Sequence, residues 1–236
     1  MTGRWQTAIV MIAVLGIAAM ASGRSLHPQR RISRAATTRN SSVWPRPKVL
    51  EAAKRAFECG HDAGLFRQSL LTIIDYSLPS TQPRLWVIDL AKRKVLFREL
   101  VAHGRNSGDK FAVAFSDMPG SRMSSLGLFR TGEAYWGRHG WALRLDGLEP
   151  GFNQNARDRA IVFHGADYVG SRSIAKLGFL GRSWGCPAVR RDISRSIINR
   201  IRGGTALFVY YPEQNWLNAS TFLRCGSRPA QSVARR

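Results

Sequence analysis

Hydrophobic and polar positions along most of the chain follow the spacing of short β-strands. Runs rich in β-branched and aromatic residues recur between clusters of Gly, Pro, Asn, Asp and Ser. The predicted strands are 70–76, 84–90, 94–101, 111–115, 126–130, 141–145, 160–164 and 205–211. No helical pattern alternates with them, which favours an all-β sandwich or barrel over a doubly wound parallel sheet. We therefore expect a mainly β fold with a few short helices.

Two segments with helical spacing flank these strands. Pro47 is expected to open the first helix, because proline is favoured in a first turn, and Gly60 to end it. Asp192 is expected to cap the second, which carries isoleucines on one face and ends at Gly203–Gly204. Both patterns predict amphipathic helices that cover a core.

The chain ends are expected to lie outside the folded domain. Arg4 precedes an apolar run from Ala8 to Met20, with small residues at 19 and 21, as in a secretory signal peptide. The run is shorter than the roughly 17–25 residues of a membrane span, although an uncleaved anchor beginning near Trp5 is the alternative. We assign 1–21 to the signal, 22–46 to a disordered basic leader, 47–225 to the domain with its core at 70–216, and 226–236 to a disordered tail.

The charge balance narrows the partners. The chain has 36 Lys and Arg against 15 Asp and Glu, for a net charge of +21. Such an excess attracts polyanions, although it also serves as a solubilising surface. Because the signal predicts export to the periplasm or cell envelope, anionic envelope polymers are the expected partners, and nucleic acid is not. We expect no stable membrane span after signal cleavage.

Three cysteines give an odd count, which leaves one thiol over in an oxidising compartment. Cys59 lies at the end of the first predicted helix, and Cys225 lies in the last segment expected to be ordered. We predict a disulfide between them that ties the ends of the domain together and leaves Cys186 free. The alternative is that Cys59 and Cys225 are two buried thiols.

His164 and Cys186 form a candidate base and nucleophile. A cysteine attacks as its thiolate, so a base must take its proton or its pKa must fall. His164 ends a predicted buried strand, and Gly165 after it lets another segment approach closely. Cys186 lies between Gly185, which permits a sharp bend, and a proline. The competing interpretation is a strand-end histidine and a small buried residue.

Further groups near Cys186 have candidate roles in the same chemistry. The backbone N–H groups of Trp184, Gly185 and Cys186 are the predicted oxyanion hole. Ser183 is expected to hydrogen-bond either the imidazole or a substrate.

The segment GRSWGCPA at 181–188 resembles the catalytic motif of the YkuD-like L,D-transpeptidases. It is most similar to the branch known as the murein L,D-transpeptidase catalytic domain family. Further counterparts of that branch are IDYS (74–77), LWVIDL (85–90), VAHG (101–104), SLG (125–127), LRLDGL (143–148) and NAR (155–157). The resemblance covers roughly 70–216. Trp184 stands where the broader family has the histidine of S-H-G-C; we expect it to pack, with stacking on a stem peptide or glycan as the alternative.

The resemblance implies a cysteine acyltransferase that needs no cofactor and acts on peptidoglycan stem peptides. Cys186 would attack the carbonyl between the L-centre of diaminopimelate and D-Ala in a tetrapeptide stem, with His164 as base. An amine acceptor would give a 3→3 cross-link, and water would give carboxypeptidase activity. The alternatives are an L,D-carboxypeptidase or endopeptidase on the same substrate, and a catalytically dead wall-binding module.

Substrate contacts are predicted from the same resemblance and from charge. Arg182, beside the motif, and Arg144, on a predicted strand, are the preferred arginines for clamping stem carboxylates. His103, Gly165 and Trp184 are the other predicted substrate-binding residues, and His139 is a weaker candidate. Neither His103 nor His139 has a nearby Cys, Asp or Glu at metal-ligand spacing, so we predict no metal site.

Overall fold

A computed structural model describes residues 43–225. The predicted signal peptide, most of the predicted leader and the predicted tail lie outside these residues. The elements, in order, are α1 (Pro47–Asp62), β1 (Leu70–Asp75), β2 (Leu85–Asp89), β3 (Lys94–Glu99), a 3₁₀ turn (Arg105–Ser107), β4 (Gly127–Gly137), β5 (Gly140–Gly147), β6 (Val162–Ala166), α2 (Ser171–Leu177), β7 (Ala188–Arg190), α3 (Arg191–Ile201), β8 (Ala206–Tyr210) and α4 (Gln214–Ala219).

All eight strands belong to one mixed sheet with the order β3-β2-β1-β8-β4-β5-β6-β7. The pairs β1–β8 and β6–β7 are parallel, and the other neighbours are antiparallel. The chain that leaves β3 returns to the opposite edge, where Ala102 pairs with Ala188 and Gly104 with Ser183. These pairings bring the two edges of the sheet together. The prediction of a mainly β fold with a few short helices is confirmed.

The core lies between the sheet and its two longer helices. Every residue of β1, β2 and β8 is buried. The buried residues of α1 recur at helical spacing: Val49, Ala53, Ala56, Phe57 and Gly60. In α3 the buried face is Ser194, Ile197, Ile198 and Ile201. Burial of these stripes, rather than local propensity, is what stabilises helices of this length.

The end of α1 and the start of α3 differ from the predicted positions. Gly60 lies inside α1, which ends at Asp62. A Cβ at Gly60 would lie 2.4 Å from the ring of Phe66, so this glycine permits close packing instead of ending the helix. The N-cap of α3 is Arg190, without a side-chain cap, and Asp192 lies in the first turn. There Asp192 accepts a hydrogen bond from Arg190 and complements the positive end of the helix dipole.

One predicted strand, 111–115, is an irregular loop. The backbone N–H groups of Val113 and Ala114 donate to the carbonyl of Ser107, at 2.7 and 3.2 Å, instead of to a neighbouring strand. Phe111 and Val113 are exposed. The sequence pattern also missed α2, β7 and α4, and it ended β4 and β5 too early.

The domain begins before Pro47. The indole N–H of Trp86 donates to the carbonyl of Val43, and the Arg46 guanidinium binds Asp75 at 2.7 Å. Residues 43–46, predicted as leader, are therefore part of the domain. None of the helices within 43–225 is long and apolar enough to cross a membrane.

Cys59 and Cys225 form the predicted disulfide, with Cα atoms 5.8 Å apart and a sequence separation of 166 residues. Cys186 is the free cysteine of the described chain. The predicted pairing is confirmed.

Candidate active site

Strand β6 and the loop 183–187, called the nucleophile loop below, bring His164 and Cys186 to one pocket. His164 pairs with Ala142 of β5 and Ala188 of β7, and its backbone N–H donates to the carbonyl of Pro187 at 3.3 Å. The pocket has a volume of about 330 Å³. It is lined by Arg138, His139, His164, Tyr168, Arg182, Ser183, Trp184 and Cys186.

The His164 ring is held in one tautomer. Its Nδ1 lies 3.0 Å from the carbonyl oxygen of Gly165. A carbonyl can only accept, so Nδ1 carries the hydrogen, and Nε2 of the neutral ring keeps its lone pair. Burial, together with the charges of His139, Arg191 and Arg138, lowers the pKa of His164 to about 4. The imidazole is therefore a neutral potential proton acceptor at neutral pH.

Cys186 rests as a thiol between two backbone groups. Its Sγ accepts from the Val162 N–H at 3.4 Å and donates to the carbonyl of Ala160 at 3.7 Å. Burial raises the pKa of the thiol, although the Val162 amide and the Arg159 charge oppose this effect. Ala160 has a φ of 52°, a left-handed conformation that a non-glycine residue rarely adopts. Strain of this kind concentrates at functional sites.

Ser183 closes the nucleophile loop instead of binding the imidazole. Its hydroxyl donates to the carbonyl of Cys186 at 2.6 Å and accepts from the N–H of Gly185 at 3.1 Å. The Gly185 amide is thus engaged, which contradicts its predicted role as an oxyanion donor. Within residues 43–225, the amides of Trp184 and Cys186 donate to no other residue. These two remain as candidate donors.

The nucleophile loop packs backbone against backbone on two other segments. Gly185 has a φ of 122°, and a Cβ there would lie 2.7 Å from the carbonyl oxygen of Met123. A Cβ at Gly104 would lie 2.9 Å from Cα of Gly185. The Ser124 hydroxyl donates to the Gly185 carbonyl and accepts from the Gly104 amide. Two glycines and one hydroxyl thereby fix where Cys186 is presented.

His103 supports this loop from beneath and does not line the pocket. Its Nδ1 accepts from the Arg84 guanidinium at 2.7 Å, and its Nε2 donates to the carbonyl of Gly108 at 3.1 Å. Its own carbonyl accepts from the Ser183 amide at 3.0 Å. Burial and the charge of Arg84 lower the pKa of His103 to about 4. The predicted substrate contact is replaced by a positioning role.

Two buried arginines near the site had no signal in the sequence pattern. Arg84 also donates to the carbonyls of Val101 and Leu78. Arg159 lies below the pocket with a side chain only 3% exposed, and it donates to the carbonyls of Ser116 and Met123 and to two serine hydroxyls. A full set of acceptors is what allows a guanidinium to be buried.

The other predicted substrate-binding residues divide between the pocket and the rest of the domain. Arg182 lines the pocket and pairs with Asp109. Arg144 does not line it; this side chain pairs with Glu133 at 2.8 Å and lies over the Tyr135 ring. Gly165 faces α3, because a Cβ there would lie 3.0 Å from Cα of Arg191.

Trp184 and His139 also differ from expectation. The Trp184 side chain lines the pocket and is 58% exposed, so the expectation that it packs is wrong. His139, a weak candidate from the sequence, stacks on the His164 ring with centroids 4.3 Å apart. The hairpin between β4 and β5 carries His139 and Arg138 to the pocket. Within residues 43–225, no group of three or more His, Cys, Asp or Glu side chains is arranged to hold a metal ion.

Solved structures similar to this chain include three L,D-transpeptidases. The enzyme from Mycobacterium smegmatis is 14% identical, with a TM-score of 0.38 over 61% of this chain and 59% of that one. L,D-transpeptidase 1 from Mycobacterium tuberculosis is 13% identical, with a TM-score of 0.35 over 61% and 62%. The enzyme from Stackebrandtia nassauensis is 14% identical, with a TM-score of 0.37 over 70% and 67%. This chain thus spans 59% of the first of these chains.

No curated protein matches the chain. The family model of the L,D-transpeptidase catalytic domain matches residues 42–210. This match covers most of the chain and all of the pocket residues described above, including the loop that carries Cys186. The chain therefore belongs to the L,D-transpeptidase catalytic domain family.

Proposed function

We propose that this protein is an exported cysteine acyltransferase that acts on peptidoglycan stem peptides. The observation that carries the proposal is the placement of the Cys186 thiol and the neutral His164 imidazole in one pocket. Family membership supports peptidoglycan as the substrate class, and the tetrapeptide stem with its L-diaminopimelate–D-Ala bond is the substrate that the sequence resemblance implies. The free thiol needs a base, and His164 is a neutral ring whose Nε2 has no hydrogen-bond partner among residues 43–225.

The first half-reaction forms a thioester. The thiol proton of Cys186 passes to Nε2 of His164 as Sγ attacks the carbonyl carbon. In this proposal the amides of Trp184 and Cys186, which donate to no other residue of 43–225, supply the hydrogen bonds to the oxygen that becomes negative. Collapse breaks the C–N bond, and the imidazolium gives its proton to the leaving D-Ala amine. The stem is then bound to Cys186 as a thioester.

The second half-reaction releases the stem to an amine. An acceptor amine attacks the thioester, His164 takes a proton from it, and Sγ leaves and is reprotonated. The product is a 3→3 cross-link. Water as acceptor would give the shortened stem instead, which is the carboxypeptidase alternative. Endopeptidase activity would follow from a cross-linked donor.

The test is dimer formation from purified disaccharide-tetrapeptides with the mature protein, followed by mass spectrometry. The native protein should form 3→3 dimers and an adduct at Cys186 with loss of D-Ala. Cys186→Ala should form neither, and retained activity in this variant would contradict the mechanism. Shortened monomers without dimers would favour the carboxypeptidase.

A catalytically dead wall-binding module is the remaining alternative, and the raised pKa of the Cys186 thiol keeps it in view. A carbapenem reacts with an activated nucleophile. An adduct at Cys186 would therefore support the enzyme, whereas intact unmodified protein that still binds peptidoglycan would support the module.

Export is proposed from the Cys59–Cys225 disulfide and from the pattern of residues 1–21. Fractionation of producing cells, with sequencing of the mature N-terminus, tests it. A cytoplasmic protein that begins at Met1 would contradict it.

A further inference from the structure

Two arginines contact one exposed indole beside the candidate catalytic pocket: Arg138 and Trp184 line the pocket, and Arg122 contacts the indole without lining it. The Arg122 guanidinium lies 5.0 Å from the centre of the Trp184 ring, and the Arg138 guanidinium lies 5.6 Å from it. Trp184 is in the nucleophile loop, Arg138 is in the β4–β5 hairpin, and Arg122 precedes β4. Three separate segments therefore converge. We call Arg122, Arg138 and Trp184 the arginine–indole rim.

The charges of the rim are uncompensated, unlike those of the arginines around it. Arg182, Arg159 and Arg191 pair with Asp109, Asp117 and Asp167, respectively. Within residues 43–225, neither Arg122 nor Arg138 makes an ion pair. Arg138 uses one N–H, on Nε2 of His139 at 3.1 Å, and its remaining donors are uncommitted. Two cations against one ring repel each other, and a bound anion would relieve that repulsion.

The backbone at Arg122 is held in place by neighbouring segments. Arg122 has a φ of 54°, in the left-handed region that costs energy for a residue with a side chain. Its carbonyl accepts from the Asn106 amide at 3.2 Å and lies close to Gly104. Gly104 in turn packs on Gly185, next to Trp184. The rim is thus anchored to the same segments that present Cys186.

We propose that the arginine–indole rim binds a free carboxylate of the stem peptide whose scissile bond lies at Cys186. The guanidiniums supply charge-assisted hydrogen bonds, and the indole supplies an apolar surface for the carbons beside the carboxylate. The ligand class is an anionic peptide with a carboxylate near the reacting carbonyl. This proposal rests on the proposed function, because it names which feature of that substrate the mouth of the pocket selects.

The experiment measures binding separately from catalysis. Full-length mature Cys186→Ala protein is titrated by calorimetry with a tetrapeptide stem and with copies in which one carboxylate at a time is an amide. One of the amides should bind about tenfold more weakly than the free acid, the loss of one charge-assisted contact. Arg122→Gln and Arg138→Gln, each added to Cys186→Ala, should remove this preference while leaving affinity for that amide unchanged. The preference should also fall with added salt.

Arg195→Gln is the matched control. Arg195 also lies over an exposed tryptophan, Trp136, at 6.0 Å, and it does not line the pocket. This variant should keep the full preference for the free acid.

Two results would overturn the proposal: equal binding of the acid and every amide, or an undiminished acid preference when both rim arginines are glutamine. If Trp184→Ala weakens binding only of stems that carry the glycan, the indole stacks on sugar and the carboxylate assignment is wrong. Failure of the proposed function is seen separately, as the absence of a thioester in protein with Cys186 intact. Preserved folding of each variant is checked by its thermal midpoint.

Discussion

The domain contains two buried His-Gly pairs, His103–Gly104 and His164–Gly165, that look alike in the sequence. Each histidine is 1% exposed, and burial lowers the pKa of each to about 4. Each is followed by a glycine against which another segment packs. Burial and pKa therefore do not distinguish the two.

Their hydrogen bonds do. Both ring nitrogens of His103 are hydrogen-bonded, one to Arg84 and one to the Gly108 carbonyl. In His164 only Nδ1 is hydrogen-bonded within residues 43–225, to the Gly165 carbonyl, and the ring lines the pocket together with Cys186. The two rings thus hold opposite tautomers. His164 therefore has a ring nitrogen that is not hydrogen-bonded to any of residues 43–225, as a base requires, whereas both ring nitrogens of His103 are hydrogen-bonded, as in a structural support.

The largest expected difference comes from the same substitution at both positions. His164→Gln cannot accept a proton, so thioester formation should fall by about 10²–10⁴-fold. His103→Gln keeps an acceptor for Arg84 and a donor for Gly108, so its rate should stay within a few-fold of the native rate. Quenched-flow mass spectrometry of the Cys186 adduct measures both. Equal losses would erase the distinction between base and support.

Removing the support should cost stability instead. His103→Ala leaves a buried N–H of Arg84 without its acceptor, which should lower the free energy of unfolding by about 1–3 kcal/mol. Arg84 stays charged, since burial lowers its pKa only to about 10. Urea unfolding of His103→Ala beside His103→Gln checks this, because the glutamine should recover most of the loss. Matching midpoints for native protein and His103→Ala would refute the supporting role.

The lowered pKa values predict a loss of stability in acid. In the unfolded chain His103 and His164 become protonated near pH 6.5, whereas in the folded protein they stay neutral down to about pH 4. The free energy of unfolding should therefore be highest above about pH 6.5 and decrease as the pH drops towards 4. Urea midpoints at pH 7 and 5 measure the difference, and His103→Gln should reduce it. Thioester formation should keep its rate down to about pH 4, where His164 becomes protonated.

The smallest effect is expected at His139, which covers one face of His164 and has no counterpart stacked on His103. His139→Ala should lose a ring contact worth about 0.5–1.5 kcal/mol, a few-fold in rate. His139→Phe keeps a ring and should keep most of the rate. Both variants remove the electrostatic contribution of His139 that helps to lower the pKa of His164, so the acid limb should move to higher pH. An unmoved limb in both would show that His139 does not influence the base.

Local pattern was enough where burial is local. The apolar stripe of α1 and the buried strands β1, β2 and β8 follow from spacing in the sequence. The disulfide was predicted from the odd count of cysteines together with the positions of Cys59 and Cys225 towards the two ends of the domain. Cys186 and His164 were selected as candidates because one lies between Gly and Pro and the other before Gly at a strand end, and because the segment around Cys186 resembles a family motif.

The rest depends on partners distant in sequence. Residues 111–115 alternate like a strand, yet the Ser107 carbonyl takes two of their amides. Arg84 is a charged residue at the start of a predicted strand. It can be buried because carbonyls from other segments and the His103 ring accept hydrogen bonds from its guanidinium. Trp184 contacts Arg122 and Arg138, which reach it from other segments of the chain, and its side chain stays exposed. No window of sequence around these residues contains the group that decides their role.

The position of β8 sets the order in which the molecule can be completed. It is the last strand along the chain, yet it lies in the middle of the sheet between β1 and β4. It joins two groups of strands. One group is β3-β2-β1, which leads to the His103 segment, and the other is β4-β5-β6-β7, which carries His164 and borders Cys186. In a chain that emerges from its N-terminus first, the two half-sheets can pair only at their outer edges, through Ala102–Ala188 and Gly104–Ser183, until residues 206–210 arrive. The sheet that positions Cys186 and His164 is therefore completed only when the last strand of the chain is in place.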